Sequence, residues 1–416
     1  MTTPGTSTRA AVPAGHDAEP DERPSPCAGL SDRVLVVITA AVTLPVVWMG
    51  HGTDIDVTDV LASADSIRRG DYMPSRPPGV PVFEAVVAVL DPLGGHLLVN
   101  LATAAAGAAT VVGIARLVRT WGHANGDLLA LAFLASPITI ISASSTGDFI
   151  WAVAFLVWAC LAHLRGRTPI AGALFALAIG ARLSSVLIIA AFLIAVGWDR
   201  DRRRASVRTG LVAVSLGVLL YVPSWLAYDR SLEFLESAEG WRSFGNNLGR
   251  FVYKSYVTTG ALAIVVMVVA APALIAALRR WRVDPMVRFG VLGFAVTEAL
   301  FFVYPWKFPH LLPALVVLLL WLGASRRNQR PFLLAVIAAF AINGIVTFRP
   351  LAPDRPAEAS TGEWDPALSA GLLINDIACR LDAMDEPLLP LNRGAWACSL
   401  KPMRGDLPEP EPTDQS

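Results

Sequence analysis

The stretch that decides the fold is residues 53–81, TDIDVTDVLASADSIRRGDYMPSRPPGVP, which directly follows the first long apolar run of the chain. Apolar side chains recur there at helical spacing, at Val57, Val60, Leu61, Ala64 and Ile67. Asp56 can cap this segment and Gly70 can end it. The pattern therefore predicts an amphipathic helix that lies at the membrane surface with its apolar stripe in lipid or protein.

The composition is that of a membrane protein. The 416 residues are 54% hydrophobic and 16% charged, with a mean hydropathy of +0.52. Several apolar runs reach the roughly 20 residues that a bilayer-spanning helix needs, which excludes a single soluble domain. The net charge of zero gives no argument for nucleic-acid binding. Residues 1–30 lack the apolar core of a cleaved signal peptide, so we expect the first span to be retained.

The apolar runs predict an all-α polytopic membrane protein with about eleven transmembrane helices. Two of them are short helices within residues 168–198 that meet at Arg182. The other predicted spans are residues 34–49, 96–117, 128–141, 149–164, 211–226, 260–278, 289–303, 311–322 and 332–348. Residues 82–90 are too short to cross, so we interpret them as a second interfacial helix, ended by residues 91–95, within an outer loop spanning 51–95.

This interpretation places nearly every arginine cluster on the inner side of the membrane, including residues 199–204. The predicted domains are a disordered cytoplasmic tail at 1–32, a membrane domain at 33–349 and a short extracytoplasmic tail at 350–416. The chain would then be a multi-pass protein of the inner (plasma) membrane. In the outer tail, a disulfide between Cys379 and Cys398 is favoured over two free thiols, because the outer compartment is oxidising.

Ionisable side chains gather at the predicted outer face, at the ends of different spans. They are Asp54, Asp56, Asp59, Asp148, Arg76, Arg182, Lys254, Lys307 and His310. Charges held near lipid are functional candidates by default. Carboxylates there can act as a general base toward a hydroxyl group, and cations can hold a phosphate leaving group.

Each of these residues also has a structural explanation when it is taken alone. Asp56 and Asp148 can be helix caps, and Arg182 and Lys307 can be anchors that reach the lipid headgroups. His310 is interpreted as structural or solvated.

Four short motifs favour a functional role for these residues over a structural one. Residues 56–59 (DVTD) lead into Gly-Asp-Tyr at 70–72 and into SRPPGVP at 75–81, and residues 145–149 read STGDF. Residues 180–182 read GAR and residues 304–313 read YPWKFPHLLP. In span order these motifs resemble the polytopic C-type (GT-C) glycosyltransferases. That family includes the protein O-mannosyltransferases and the aminoarabinose transferases, which use polyprenyl-phosphate sugars.

The resemblance implies a membrane glycosyltransferase that moves a sugar from a polyprenyl-phosphate donor to a hydroxyl of a glycan, lipid or protein on the outer side. It implies Asp56 as the general base, with Asp54 as the alternative because the first motif offers two acids. Asp148 would orient the acceptor or a cation. Arg182 and Lys307, with Arg76, would bind the donor phosphate. No metal site or cofactor is expected, and the role of a divalent cation is left open.

Two other functions fit the same composition. A transporter or lipid flippase would carry its ionisable groups on interrupted helices near mid-bilayer, related by an internal repeat. We find no such repeat, and the predicted spans are almost free of charge apart from Glu298. An inactive GT-C-like assembly protein is the third reading, because one fold can host different functions.

Overall fold

The computed structural model of the protein describes residues 29–54, 56–231, 243–305, 307–351 and 364–384. Within them the chain forms fifteen α-helices, two short 3₁₀ turns and one two-stranded hairpin. The helices are α1 (Asp32–Val47), α2 (Asp56–Arg69), α3 (Pro81–Thr120), α4 (Gly126–Ala135), α5 (Pro137–Ala143), α6 (Phe149–Leu164), α7 (Thr168–Ala181), α8 (Ser185–Gly197), α9 (Arg200–Ala227), α10 (Phe244–Thr259), α11 (Ala261–Ala277), α12 (Pro285–Val303), α13 (Leu312–Gly323), α14 (Arg330–Ile345) and α15 (Leu372–Met384). The strands are β1 (Val346–Leu351) and β2 (Trp364–Ala370), and the 3₁₀ turns are Leu278–Arg280 and Phe308–Leu311.

Helix length and composition identify a polytopic, mainly helical membrane protein. In the described part of the chain, four helices are individually long and apolar enough to cross a bilayer: α3, α9, α12, and α11 together with its 3₁₀ turn. The bent pair α4 and α5 makes a fifth if it is counted as one span. Five further apolar helices have 10 to 17 residues. The predicted count of about eleven crossings is therefore not confirmed.

The amphipathic helix of the deciding stretch is α2, and its end at Gly70 is as predicted. Gly70 has a φ of +75°, a left-handed conformation that glycine adopts without strain. The apolar stripe of α2 faces protein, because Val60 and Ala64 pack against Phe83 and Val87 of α3. This packing fixes α2 against the first part of α3 and so positions the loop that joins them.

The helix break predicted at Arg182 is also present. Thr168–Ala181 and Ser185–Gly197 are separate helices, and Arg182 between them is extended, with φ −162° and ψ 112°. The junction places Arg182 outside both helices, and its side chain is mostly buried, with 15% of its surface exposed.

One predicted boundary is wrong. Residues 128–141 are not one helix, because Ser136 is extended before Pro137 and α4 and α5 meet at 78°. The residue before a proline avoids helical conformation, and the proline starts the next helix. The break predicted within residues 91–95 is present, because α3 stays helical through Asp91 and Pro92 and departs from helical angles at Gly94 and Gly95. The break falls at the glycine pair because glycine adopts such angles at least cost.

The chain after α14 also differs from the prediction. The predicted last span, 332–348, ends early because Val346 begins a strand whose partner is Trp364–Ala370 in antiparallel register. The run Val-Thr-Phe at 346–348 favours strand over helix. Helix α15 follows and packs against α5 and α14. Cys379 in α15 is disulfide-bonded, but Cys398 lies outside the described residues, so the predicted pairing stays a prediction.

Candidate active site

The six predicted site residues lie together, although they come from five separate parts of the chain. The Lys307 ammonium is 2.5 Å from Asp54 Oδ1 and also contacts Asp56 Oδ1. The other oxygen of Asp56 contacts Arg76. Lys307 is therefore shared by two carboxylates, and Asp56 bridges two cations.

Asp148 continues this string of charges. Its Oδ1 lies 3.2 Å from Arg76 and its Oδ2 lies 2.6 Å from Arg182. The order along the string is Asp54, Lys307, Asp56, Arg76, Asp148 and Arg182. Three carboxylates thus alternate with three cations, so the site is electrically balanced when it holds no substrate.

The helix-cap explanation is wrong for Asp148. Asp148 occupies the N-cap position of α6, yet its side chain makes no capping hydrogen bond because both of its oxygens bind arginines. Asp56 is the first residue of α2, and its backbone N–H donates to Asp54 Oδ1 over 3.0 Å. Asp54, rather than Asp56, therefore supports the start of this helix.

His310 also belongs to the site, in contrast to its interpretation as structural or solvated. Its Nε2 lies 2.7 Å from Arg182 Nη2. Arginine only donates hydrogen bonds, so His310 Nε2 must accept and carries no proton there. The Arg182 guanidinium also stacks on Phe149, 3.6 Å from the ring centroid. The sequence could have indicated this role, because His310 lies three residues after Lys307. A 3₁₀ turn brings residues at that spacing to the same side.

Glu84 fixes the segment that carries Arg76. This carboxylate is completely buried and accepts hydrogen bonds from the Tyr72 hydroxyl at 2.6 Å and the Ser75 N–H at 2.8 Å. The Ser75 hydroxyl donates at 2.5 Å to Glu84 Oε1, the oxygen that also accepts from the Ser75 N–H. Glu84 is the one charged residue in the apolar stretch 82–90. A single charge in such a stretch indicates a side chain with polar partners.

Burial lowers the pKa of Lys307, while the Asp54 carboxylate beside it acts in the opposite direction. An ammonium that is held charged chiefly by its carboxylate neighbours responds strongly to any other anion that replaces them. Lys307 is for that reason suited to receive a phosphate.

The loops that carry Asp54 and Asp148 touch each other directly. The Thr146 N–H donates to the His51 carbonyl over 2.7 Å, and the His51 ring nitrogen Nδ1 lies 2.9 Å from the Thr146 hydroxyl. Asn100 of α3 accepts from the Thr146 hydroxyl at 3.0 Å. These bonds keep the two acid-bearing loops at a fixed separation.

Gly52→Ala is expected to destabilise the protein by about 2 kcal/mol more than Gly70→Ala. Both glycines have positive φ, but an added Cβ at Gly52 would lie 2.5 Å from Ser145 Cβ, whereas nothing lies within 4 Å of one at Gly70. The comparison thus separates the clash between the loops from backbone strain. Thermal unfolding in detergent measures it, and equal destabilisation of the two variants would contradict the close contact of the loops.

The stability of the protein is expected to fall as the pH drops from about 6.5 to about 4, through His51. Burial lowers the pKa of His51 from 6.5 to about 4, and this effect outweighs the neighbouring Asp91 carboxylate. In that interval the unfolded chain binds the proton and the folded chain does not, so acid favours unfolding. The free energy of unfolding is expected to be lower by about 3 kcal/mol at about pH 4, and unchanged above about pH 6.5.

Thermal unfolding of wild type and His51→Asn between pH 7 and pH 4.5 checks this expectation. The variant lacks the titrating group, so its unfolding temperature is expected to depend less steeply on pH. Identical slopes for the two proteins would rule out His51 as the source.

A cavity begins beside Arg182 and His310 and continues into the helix bundle. Its interior volume is about 30 Å³. Its polar end is formed by Arg182, Ser184, Ser185 and His310. Its apolar walls come from α6, α8 and α12 and include Ala152, Val153, Leu156, Ile188, Leu300 and Phe301. The cavity therefore has a polar, cationic end and apolar walls.

The described residues contain no group of three or more His, Cys, Asp and Glu side chains placed to hold a metal ion. The expectation of no metal site, with the role of a divalent cation left open, stays a prediction.

Known proteins give two kinds of similarity. The crystal structure of ArnT from Cupriavidus metallidurans bound to undecaprenyl phosphate has a TM-score of 0.54 at 15% identity, covering 89% of this chain and 74% of ArnT. Apo ArnT from the same organism has a TM-score of 0.49 at 17% identity, covering 88% and 69%. No curated protein sequence matches the chain significantly.

The family model of glycosyltransferase family 87 matches residues 76–305, which is more than half of the chain and includes Arg76, Asp148 and Arg182. This match favours the glycosyltransferase prediction over the transporter alternative. The chain belongs to glycosyltransferase family 87 and is a multi-pass membrane glycosyltransferase of the GT-C type.

Proposed function

We propose that the protein transfers a sugar from a polyprenyl-phosphate donor to an acceptor hydroxyl at the outer face of the plasma membrane. The observation that carries this proposal is the string of alternating carboxylates and cations whose last cation, Arg182, lies at the entrance of an apolar cavity.

The chemistry of the cavity supports a lipid phosphate. The Arg182 guanidinium has five N–H donors, more than Asp148 and His310 occupy, and its planar charge suits the oxygens of a phosphate. The apolar walls beyond it suit an isoprenoid chain, since burying each methylene contributes about 0.8 kcal/mol. The structure of ArnT bound to undecaprenyl phosphate supports the same class of donor through the shared fold.

The bound phosphate exchanges with a carboxylate of the site. In the free protein Lys307 is shared by Asp54 and Asp56, and Arg76 is shared by Asp56 and Asp148. A donor phosphodiester brings one negative charge to these cations and can replace one carboxylate without changing the local balance. Asp56, which bridges Lys307 and Arg76, is then released to face the acceptor.

Asp56 is the general base of the proposed reaction. It takes the proton of the acceptor hydroxyl as that oxygen forms a bond to the anomeric carbon. The bond from this carbon to the phosphate oxygen breaks on the opposite side, so the configuration inverts and polyprenyl phosphate leaves. Arg182 and Lys307 stabilise the charge that grows on the departing phosphate, and Asp148 holds Arg182 in place.

The test is label transfer in membranes that contain the protein, with a panel of radiolabelled polyprenyl-phosphate sugars. Label is expected to move to a glycan, lipid or protein acceptor, and to stay on the donor lipid when Asp56 is replaced by asparagine. Unimpaired transfer by both Asp56→Asn and Asp148→Asn variants would overturn the assignment of the site. No transfer from any donor, with folded protein present, would overturn the proposed reaction.

A further inference from the structure

We infer that α15 is a clamp that positions the two acid-bearing loops of the active site, through Asp376 and Arg380. The Thr53 hydroxyl donates to Asp376 Oδ1 at 2.5 Å, and Arg380 Nη1 donates to the Ser144 carbonyl at 3.0 Å. These partners are 323 and 236 residues away along the chain. The helix lies beyond residue 305, where the match to the family ends.

Each contact is made next to a site residue. Thr53 directly precedes Asp54, and Ser144 directly follows α5, four residues before Asp148. Both loops are without regular secondary structure at these points, so contacts other than helix hydrogen bonds must restrain them. One helix therefore bonds to both loops at once and limits how far they can separate.

Asp376 and Arg380 also bind each other inside the protein. Arg380 Nε lies 2.8 Å from Asp376 Oδ2, and the two side chains are 1% and 4% exposed, respectively. A buried ion pair is seldom more stabilising than an apolar pair of similar volume. Stability alone therefore does not explain these charges, whereas the bonds to Thr53 and Ser144 require a polar group at each position.

The start of α15 is itself held firmly. The Gly371 N–H donates to the Ile345 carbonyl over 2.8 Å, and an added Cβ at Gly371 would lie 2.4 Å from the Asn343 carbonyl oxygen. The first residues of α15 are thus pressed against the end of α14. A helix that is anchored in this way can transmit rigidity to the loops that it contacts.

The catalytic consequence rests on the proposed function. Reacting groups lose rate steeply when they are displaced, because about 1 Å of misplacement can cost roughly 100-fold. Asp376 and Arg380 do not contact the site carboxylates, so they are positioning residues. They should affect the catalytic rate more than the binding of the donor.

The test uses the double variant Asp376→Leu/Arg380→Met in the full chain. It removes both bonds to the loops without leaving an unpaired buried charge, so it is expected to fold. Ala378→Gln, at an exposed position of the same helix, is the matched control. Hydrogen–deuterium exchange of residues 50–54 and 144–148 is compared in the three proteins, alongside kcat and KM for the donor.

In the double variant we expect faster exchange in both loops and a kcat lower by about 100-fold, with KM for the donor changed by less than about threefold. Unchanged exchange in both loops would overturn the clamp, and faster exchange with unchanged kcat would overturn its positioning role. If the wild type transfers no sugar, the proposed reaction fails, and the exchange result alone decides whether α15 restrains the loops.

Discussion

Asp56→Asn is expected to lower kcat for sugar transfer by about 10²- to 10⁴-fold. Asparagine keeps the size of the side chain but cannot take a proton from the acceptor hydroxyl. In this variant Lys307 stays paired with Asp54, and Arg76 stays paired with Asp148. Neither cation therefore loses all of its partners. The variant should therefore fold and bind the donor, and initial rates at saturating donor and acceptor measure the loss.

Two variants on neighbouring positions make this result specific. Asp65→Asn changes a carboxylate of the same helix that pairs only with Arg68 and Arg69 among the described residues, and it should leave kcat unchanged. Asp54→Asn tests the alternative base. An asparagine at 54 still accepts the Asp56 N–H, so we expect a loss of about tenfold or less. The reverse order, with a large loss at 54 and a small loss at 56, would assign the base to Asp54.

Local sequence patterns predicted the elements that depend on near neighbours. The spacing of Val57, Val60 and Ala64 predicted α2, and Gly70 predicted its end. The apolar run 149–164 has the same bounds as α6. The polar interruption at Arg182 predicted the break between α7 and α8. In each case the signal lies within the few residues that form the hydrogen bonds of the helix.

The errors arise where composition hides a bend, or where a distant partner decides the end of a helix. Apolar composition looks alike in a continuous helix and in one bent at Ser136, and only the proline hints at the difference. The hairpin of β1 and β2 joins segments separated by residues outside the described structure, and a strand at Val346 is stabilised by its partner. Each such error changes the number of helices that are counted as crossings, which explains why the predicted count of eleven crossings was not confirmed.

For the site, the sequence supplied the residue types but not their pairing. It placed carboxylates and cations at the ends of different spans, and the structure brings all six together. The contact between Lys307 and Asp54 crosses 253 residues, so no local pattern encodes it. A long separation in sequence also hid the role of His310, whose partner Arg182 lies 128 residues earlier.

Arg182→Lys is expected to lower kcat by about 100-fold, with an increase in KM for the donor of less than about tenfold. Lysine keeps the charge but loses the planar fork that binds Asp148 and His310 together, and it cannot stack on Phe149 in the same way. Steady-state rates over a range of donor concentrations separate the two constants. Arg69→Lys, on the exposed end of α2, is the matched control and should change neither.

The split between the two constants follows from the charge of the donor. Its phosphodiester carries one negative charge in the bound state, and a second develops as the bond to the sugar breaks. The stabilisation by Arg182 therefore grows on the way to the transition state, and only such growth raises kcat. If KM rises while kcat is unchanged, Arg182 holds the donor equally in both states. The departing phosphate must then be stabilised by Lys307 and Arg76, the two other cations of the site.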